Sequence, residues 1–340
     1  MPPLKALLFI LVTKIAILGS GAVGLFYGGQ LVLAGHDVRF LLRRDHARIV
    51  ENGLVIHSTG SPEVTAVRAP LTVIPASRFR ACSTPEQCVE DGPLEWVVLA
   101  VKTTSLGDIQ PSLARVLGKD ARTRLVVMCN GIGVEERLAE HVASERIYAA
   151  LAHVCLNRRD DGSVDHLAHG KLLLGHQLDA PERVRELSLL ITSAGISSYQ
   201  VSSLREARYR KLVWHLPYNG LSVVLGARGC DTEAIMSDAG SRELVGELMR
   251  EVISVANADL ARIPGAALIE PTWSDEMFNR TTVMGPYLTS TLLDWRAGRP
   301  LEIETMFAEP VARARRLGVH APRMEMLLSM VRDRARSASA

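Results

Sequence analysis

The chain has 340 residues, 47% hydrophobic and 22% charged, and its 39 lysines and arginines against 37 aspartates and glutamates leave a formal charge of +2. That balance excludes the basic footprint of a nucleic-acid binder and the cationic block of a membrane-surface protein. Composition and length exclude disordered, collagen-like and mini-protein classes, so a small-molecule partner is the default. At about 150 residues per domain the length provides for two domains, each large enough to hide roughly two-thirds of its unfolded surface.

In chain order, residues 4–12, LKALLFILV, set one lysine before a short apolar run, the outline of an export signal. No small-residue cleavage site precedes Lys14, and Lys14 to Leu18 already read as a strand, so the run is read as a short extension. It is far below the roughly 20 apolar residues that span a bilayer. Short β-branched runs then alternate with amphipathic stretches: KIAILG (14–19), LFYGGQLVLAG (25–35), DVRFLL (37–42), EWVVLAVK (95–102), LGDIQPSLARVLG (106–118) and RLVVMCNG (124–131). Continuous apolar strands separated by helix-length segments predict βαβ units and a parallel sheet covered on both faces. Gly35 closes the first helix, residues 75–95 read as a long loop, and RRDDGS (158–163) with HLAHGKLLLG (166–175) reads as a hairpin completing this part.

From about residue 205 the texture changes to long helix-periodic stretches, REARYRKLVWHLPYNGLSVVLG, SRELVGELMREVISVANADLA, YLTSTLLDWRAG and LEIETMFAEPVARARRLG. The expected architecture is α/β plus all-α. A Rossmann-type dinucleotide-binding domain over 14–203 is followed by a helical domain over 204–335, joined near SSLREA (202–207). Five scattered cysteines, Cys82, Cys88, Cys129, Cys155 and Cys230, form no CxxC and are read as free thiols in a reducing, cytoplasmic setting, a Cys82–Cys88 bridge across a loop being the alternative that nothing else in the sequence favours. The ten histidines form no HxxxH or HxH cluster, so no metal site is expected.

Gly19-Ser20-Gly21-Ala22-Val23-Gly24 is G-x-G-x-x-G placed directly after the first strand and opening a helix. In that context the first glycine makes the turn, the second lets a pyrophosphate approach the backbone and the third packs helix on strand. The helix end adds N–H donors and about half a positive charge. Roughly 20 residues on, where an acidic side chain would hold the ribose 2′-OH of NAD, the chain has Arg43-Arg44. Two guanidiniums suit the 2′-phosphate of NADP(H). A solvated arginine pair is the duller alternative, and Asp37 and Asp45 lie nearby without suiting the ribose.

With these residues on the page the chain resembles the ketopantoate reductase (2-dehydropantoate 2-reductase) family. The resemblance covers nearly its whole length, through KIAILGSGAVG at the start, AVK at 100–102, NG at 130–131, RYRKL at 208–212 and TSTLLDWRAGRPLEIE at 289–304. The resemblance implies NADPH-dependent reduction of the 2-keto group of ketopantoate to (R)-pantoate, a step of pantothenate biosynthesis, in a cleft between a Rossmann-type and a helical domain. It implies Lys211 as general acid and Glu302 as the glutamate near cofactor and lysine. It further implies Asn219 and Ser290 as substrate contacts, and Lys102 and Asn130 as residues of the nicotinamide half of the site, Asn130 touching substrate as well. The chemistry agrees, because hydride arriving at a 2-keto carbon leaves an alkoxide that needs a proton donor and positive charge. Without the resemblance, Lys211 in a run with Arg205, Arg208 and Arg210 reads as a solvated helix face, Asn130-Gly131 as an ordinary turn, and the others as caps or surface residues.

The family helix carries asparagines four and eight residues after its lysine; here those positions are His215 and Asn219. His215 is open to two readings, a hydrogen-bonding partner of substrate or a packed histidine. The substrate is therefore ketopantoate or another 2-oxo acid. Rivals are an opine-type or 3-hydroxyacid dehydrogenase and, from another class, a noncatalytic NADP-binding sensor. Oligomeric state is not written in the sequence, although apolar surface on a helical domain is compatible with a homodimer.

Overall fold

The computed structural model describes residues 12–65, 67 and 69–337, so most of the apolar lead-in at 4–12 lies outside the described residues. The chain divides into two compact units. The first takes residues up to Val101, 105–129 and 139–202, and the second takes Lys102–Thr104, Asn130–Leu138 and the chain from Ser203 onward.

The elements before Ser203 are, in order, β1 (Lys14–Leu18), α1 (Ala22–Leu33), β2 (Asp37–Leu41), α2 (His46–Asn52), β3 (Leu54–Ser58), β4 (Leu71–Ile74), β5 (Arg80–Cys82), α3 (Pro85–Val89), β6 (Trp96–Leu99), α4 (Leu106–Leu117), β7 (Arg124–Val127), α5 (Val134–Ala139), β8 (Ile147–Arg158), β9 (Val164–His176), α6 (Pro181–Ser193) and β10 (Ser198–Gln200). Among the described residues all ten strands join one sheet, ordered β4-β3-β9-β8-β7-β6-β1-β2-β5 with β10 on β9. β1 runs parallel between β2 and β6, Ile15 facing Val38 on one side and Trp96 on the other. β7 and β8 continue the parallel run, and β8 with β9 forms the long antiparallel hairpin. Strands covered on both faces must be apolar throughout, and β6 is buried along its whole length while β1 is buried after Lys14. The sheet order reverses at β1, and in open α/β sheets that reversal makes a crevice beyond the carboxyl ends of the strands. The turn after Leu18 stands there.

Residues 75–95, read from sequence as a long loop, contain β5 and α3. A local capping box starts α3: Thr84 accepts from the backbone of Gln87 at 3.4 Å, and the Gln87 side chain accepts from the Thr84 backbone at 3.3 Å. Pro85 occupies the first helical position, where its missing N–H costs nothing. Gly35 stops α1 as expected, in the left-handed region with φ +91°.

The second unit is helical: α7 (Leu204–Val224), α8 (Thr232–Ser237), α9 (Ala239–Leu260), α10 (Thr272–Thr282), α11 (Ser290–Arg296), one π-helical turn (Glu304–Ala308), α12 (Glu309–Leu317) and α13 (Pro322–Ser337). Its core is built from Leu212, Val213 and Leu216 of α7 against Val245, Leu248 and Val252 of α9, closed by Phe307, Val311 and Met324. Polar groups inside are paired: Tyr209 donates to Asp259 at 2.8 Å, and Arg313 reaches Asp259 at 2.9 Å, Glu136 at 3.0 Å and Glu309 at 2.8 Å. Among the described residues no helix is long and apolar enough to cross a membrane, and no cluster of His, Cys, Asp and Glu could hold a metal ion. The five cysteines are free thiols.

Candidate active site

The turn at Gly19–Gly24 admits only glycine at two positions. Gly19 has φ +119°, and a Cβ on it would lie 2.5 Å from the Ala100 carbonyl oxygen; one on Gly24 would lie 2.0 Å from that of Gly19. A Cβ on Gly21 would meet nothing within 4 Å, so open space lies over the backbone there. No side chain caps α1 at Gly21 and no acidic residue stands in its first turn. Bare amides, an open approach and the positive helix end fit a pyrophosphate. Ser20, Ala22 and Val23 supply the rest of the turn, and only Gly24 is buried.

Arg43 and Arg44 are exposed just past β2. Asp45 accepts from Arg48 and, at 2.9 Å, from Arg158. Asp37 accepts from Arg39 at 2.8 Å, a bond that holds its carboxyl below the usual range. Both acidic residues near the second strand are thus held by arginines, while Arg43 and Arg44 stand in solvent.

In the second unit, α7 aims Arg208, Lys211 and His215 into one small concavity, three and four residues apart on one helix face, with Leu212, Gly131 and Met306 completing its wall. The Lys211 ammonium donates to Asn130 Oδ1 at 3.0 Å. Burial, and then the charge of Arg208, push Lys211 down to about 7, with Glu302 pulling the other way. The acceptor is fixed by its neighbour. Gly131 is left-handed, with φ +85°, and a Cβ there would sit 2.5 Å from Thr305 Cβ, while Ile132 N donates to Thr305 O at 3.0 Å. Gly131→Ala is therefore expected to cost about 2–4 kcal/mol, from left-handed strain and overpacking, seen as a lowered melting temperature; a variant melting with the parent would show that the turn relaxes.

The other expected site residues are held in different ways. Glu302 Oε1 accepts from Thr103 N at 2.8 Å and Thr103 Oγ1 at 3.0 Å, and it acts on Lys211 through its charge. Lys102 pairs with Asp294, which also holds Arg299 at 2.9 Å. Asn219 is buried, its amide donating to the His215 carbonyl at 2.9 Å and its oxygen accepting from Thr291 Oγ1 at 2.8 Å and Ser290 Oγ at 3.4 Å. Asn219 and Ser290 thus meet each other at the start of α11, and neither lines the concavity around Lys211.

Sequence reasoning missed Arg208, Glu135, Thr103 and Met306. Arg208 stood in a basic run, and the signal that could have separated it is its spacing of three from Lys211. Met306 and Thr305 lie in the π-helical turn, a backbone feature common at functional sites.

A dinucleotide-type turn on the parallel sheet and, in the helical unit, a lysine set in a concavity are features that an oxidoreductase needs. Two family models match the chain, Ketopantoate reductase PanE/ApbA over residues 15–178 and its C-terminal model over 203–335. A 2-dehydropantoate 2-reductase of Nostoc sp. is 34% identical, over 92% of this chain and 92% of the relative. The crystal structure of 2-dehydropantoate 2-reductase from Geobacter metallireducens is 36% identical with a TM-score of 0.83, covering 94% of this chain and 99% of that one. The corresponding enzyme from Methylococcus capsulatus is 28% identical with a TM-score of 0.79, over 96% and 98%. The chain belongs to the ketopantoate reductase family.

Proposed function

We propose that this protein reduces the 2-keto group of ketopantoate to (R)-pantoate with NADPH, in pantothenate biosynthesis, using Lys211 as general acid. The observation that carries the reading is the Lys211 ammonium, partly buried, bonded to Asn130 and lowered to about 7, where it can both hold and give up a proton near neutrality. The Gly19–Gly24 turn would hold the cofactor's pyrophosphate, and Arg43 and Arg44 its 2′-phosphate. Bound there, the reduced nicotinamide supplies the hydride that the C2 carbon accepts. Lys211 Nζ gives its proton to the keto oxygen as the C=O bond becomes C–OH, and its charge stabilises the alkoxide as it develops. Asn130 aims Nζ, and Glu302 returns Lys211 toward its charged form after each turnover. Lys102 is proposed as a neighbour of the cofactor, and Asn219, His215 and Ser290 as contacts of the substrate. The domain division we propose is 14–203 and 204–335 along the chain, with residues 102–104 and 130–138 of the first stretch packing into the helical unit, and the free thiols suit a cytoplasmic enzyme.

A second reading, another 2-oxo acid as substrate, is favoured by His215: it lines the concavity where the family has asparagine, while Asn219 is spent on Thr291. Turnover with NADPH over a panel of 2-oxo acids tests both. Reduction of none would sink the enzyme reading, and a preference for pyruvate- or oxaloacetate-like acids would sink ketopantoate. Arg43→Ala with Arg44→Ala is expected to raise KM for NADPH at least about tenfold, from two lost charge-assisted bonds, with KM for NADH unchanged; equal changes for both cofactors would argue against the 2′-phosphate contact.

A further inference from the structure

Arg208 and Glu135 form an ion pair in which each side chain is only 3% exposed. Such a pair rarely adds net stability over apolar residues of the same size, so its location asks for another account. It borders the concavity of Lys211, one helical turn before that lysine. Arg208 Nη1 also approaches the Gly131 carbonyl at 3.5 Å. That carbonyl follows Asn130, whose oxygen accepts the Lys211 ammonium at 3.0 Å. One guanidinium therefore touches the turn that carries the acceptor while presenting positive charge to the donor.

We propose that Arg208, clamped by Glu135, is a positioning residue for the reaction: it fixes the Asn130–Gly131 turn and sets the field in which Lys211 releases its proton. The inference rests on Lys211 acting as the acid. The charged and titratable groups around the ammonium are Arg208 and His215 on α7, Glu302 before the π-helical turn, and Glu135 of α5 acting through Arg208. Arg208 repels a proton on Lys211, Glu302 attracts one, and Glu135 moderates Arg208. With Arg208 absent the ammonium would keep its proton more firmly and yield it more slowly to an alkoxide.

The test reads Lys211 directly, by competitive acetic-anhydride labelling of the full-length protein from neutral to alkaline pH with mass spectrometry of its peptide, beside pH profiles of kcat/KM. The Arg208→Met, Glu135→Leu double variant, which leaves no buried charge unpaired, is expected to move the labelling midpoint up by about one pH unit. Glu135→Gln is expected to move it down, and Arg208→Lys, keeping the charge, to restore the parent midpoint. A folded double variant with the parent's midpoint would overturn the proposal. If that variant does not fold, an unmoved midpoint in Glu135→Gln does so. Failure of the enzyme reading would appear separately, as a parent protein that labels normally yet reduces no 2-oxo acid.

Discussion

Lys211→Met is expected to lower kcat/KM for 2-oxo acid reduction by about 10²–10⁴-fold, the usual worth of a positioned general acid, while NADPH binding followed by its fluorescence stays unchanged. In the parent, reduction needs the protonated lysine. The rate should therefore be level below about pH 7 and fall about tenfold per unit above it, and oxidation of the hydroxy acid, which needs the neutral amine as base, should rise through the same point. The lowered value also has a thermodynamic sign. Because the folded chain holds this proton less tightly than the ordinary lysine value of 10.5, the fold carries the full cost of a desolvated ammonium below about pH 7 and is relieved as pH climbs toward 10.5. The same variant should thus melt higher than the parent, by more at pH 6 than at pH 10. A reduction rate indifferent to Lys211→Met would remove the lysine from the chemistry.

Arg313→Met should be the most damaging change away from the chemistry. The guanidinium is 8% exposed and serves three carboxylates, Asp259, Glu136 and Glu309, one of which also holds the Tyr209 hydroxyl. Removing it leaves those charges partly buried and unmatched, at a cost of about 3–5 kcal/mol, or on the order of 10 °C in melting temperature for a unit of this size. The deficit should shrink as pH falls, because Glu309, whose carboxyl is held below the usual range against its burial by the bonds from Arg313 and Arg316, takes up a proton once Arg313 is gone. A melt within about 2 °C of the parent would mean that water or Arg205, which also pairs with Asp259 and Glu136, takes over.

Strands β1, β6 and β7 are legible because burial on both faces makes them apolar runs, β2 in spite of the buried Arg39 that Asp37 pairs inside it, and α7, α9 and α12 because their apolar residues repeat at helical spacing. β3 alternates in burial and gives no continuous apolar run, and three-residue β5 and β10 are too short to stand out. α3 rests on side-chain bonds between Thr84 and Gln87 that a reading by periodicity passes over. Lys211 was reached through the resemblance of RYRKL and its companions to a family, and Asn130 with it. What stayed hidden is the environment. Arg208 looks like its neighbours Arg205 and Arg210 until Glu135, 73 residues earlier, takes it out of water. Asn219 looks like a ligand group until Thr291 claims its oxygen.

The second unit is not a contiguous stretch of chain, since Lys102–Thr104 and Asn130–Leu138 belong to it. Cutting at residue 203 would strand Lys211 without Asn130, Arg208 without Glu135 and Glu302 without Thr103. A chimera that joins the C-terminal half of one relative to the N-terminal half of another would inherit a mismatched proton donor even if both halves folded. These two short stretches and the helices they serve must be inherited together, so recombination in this family should succeed only when breakpoints carry residues 102–104 and 130–138 along with the helical half.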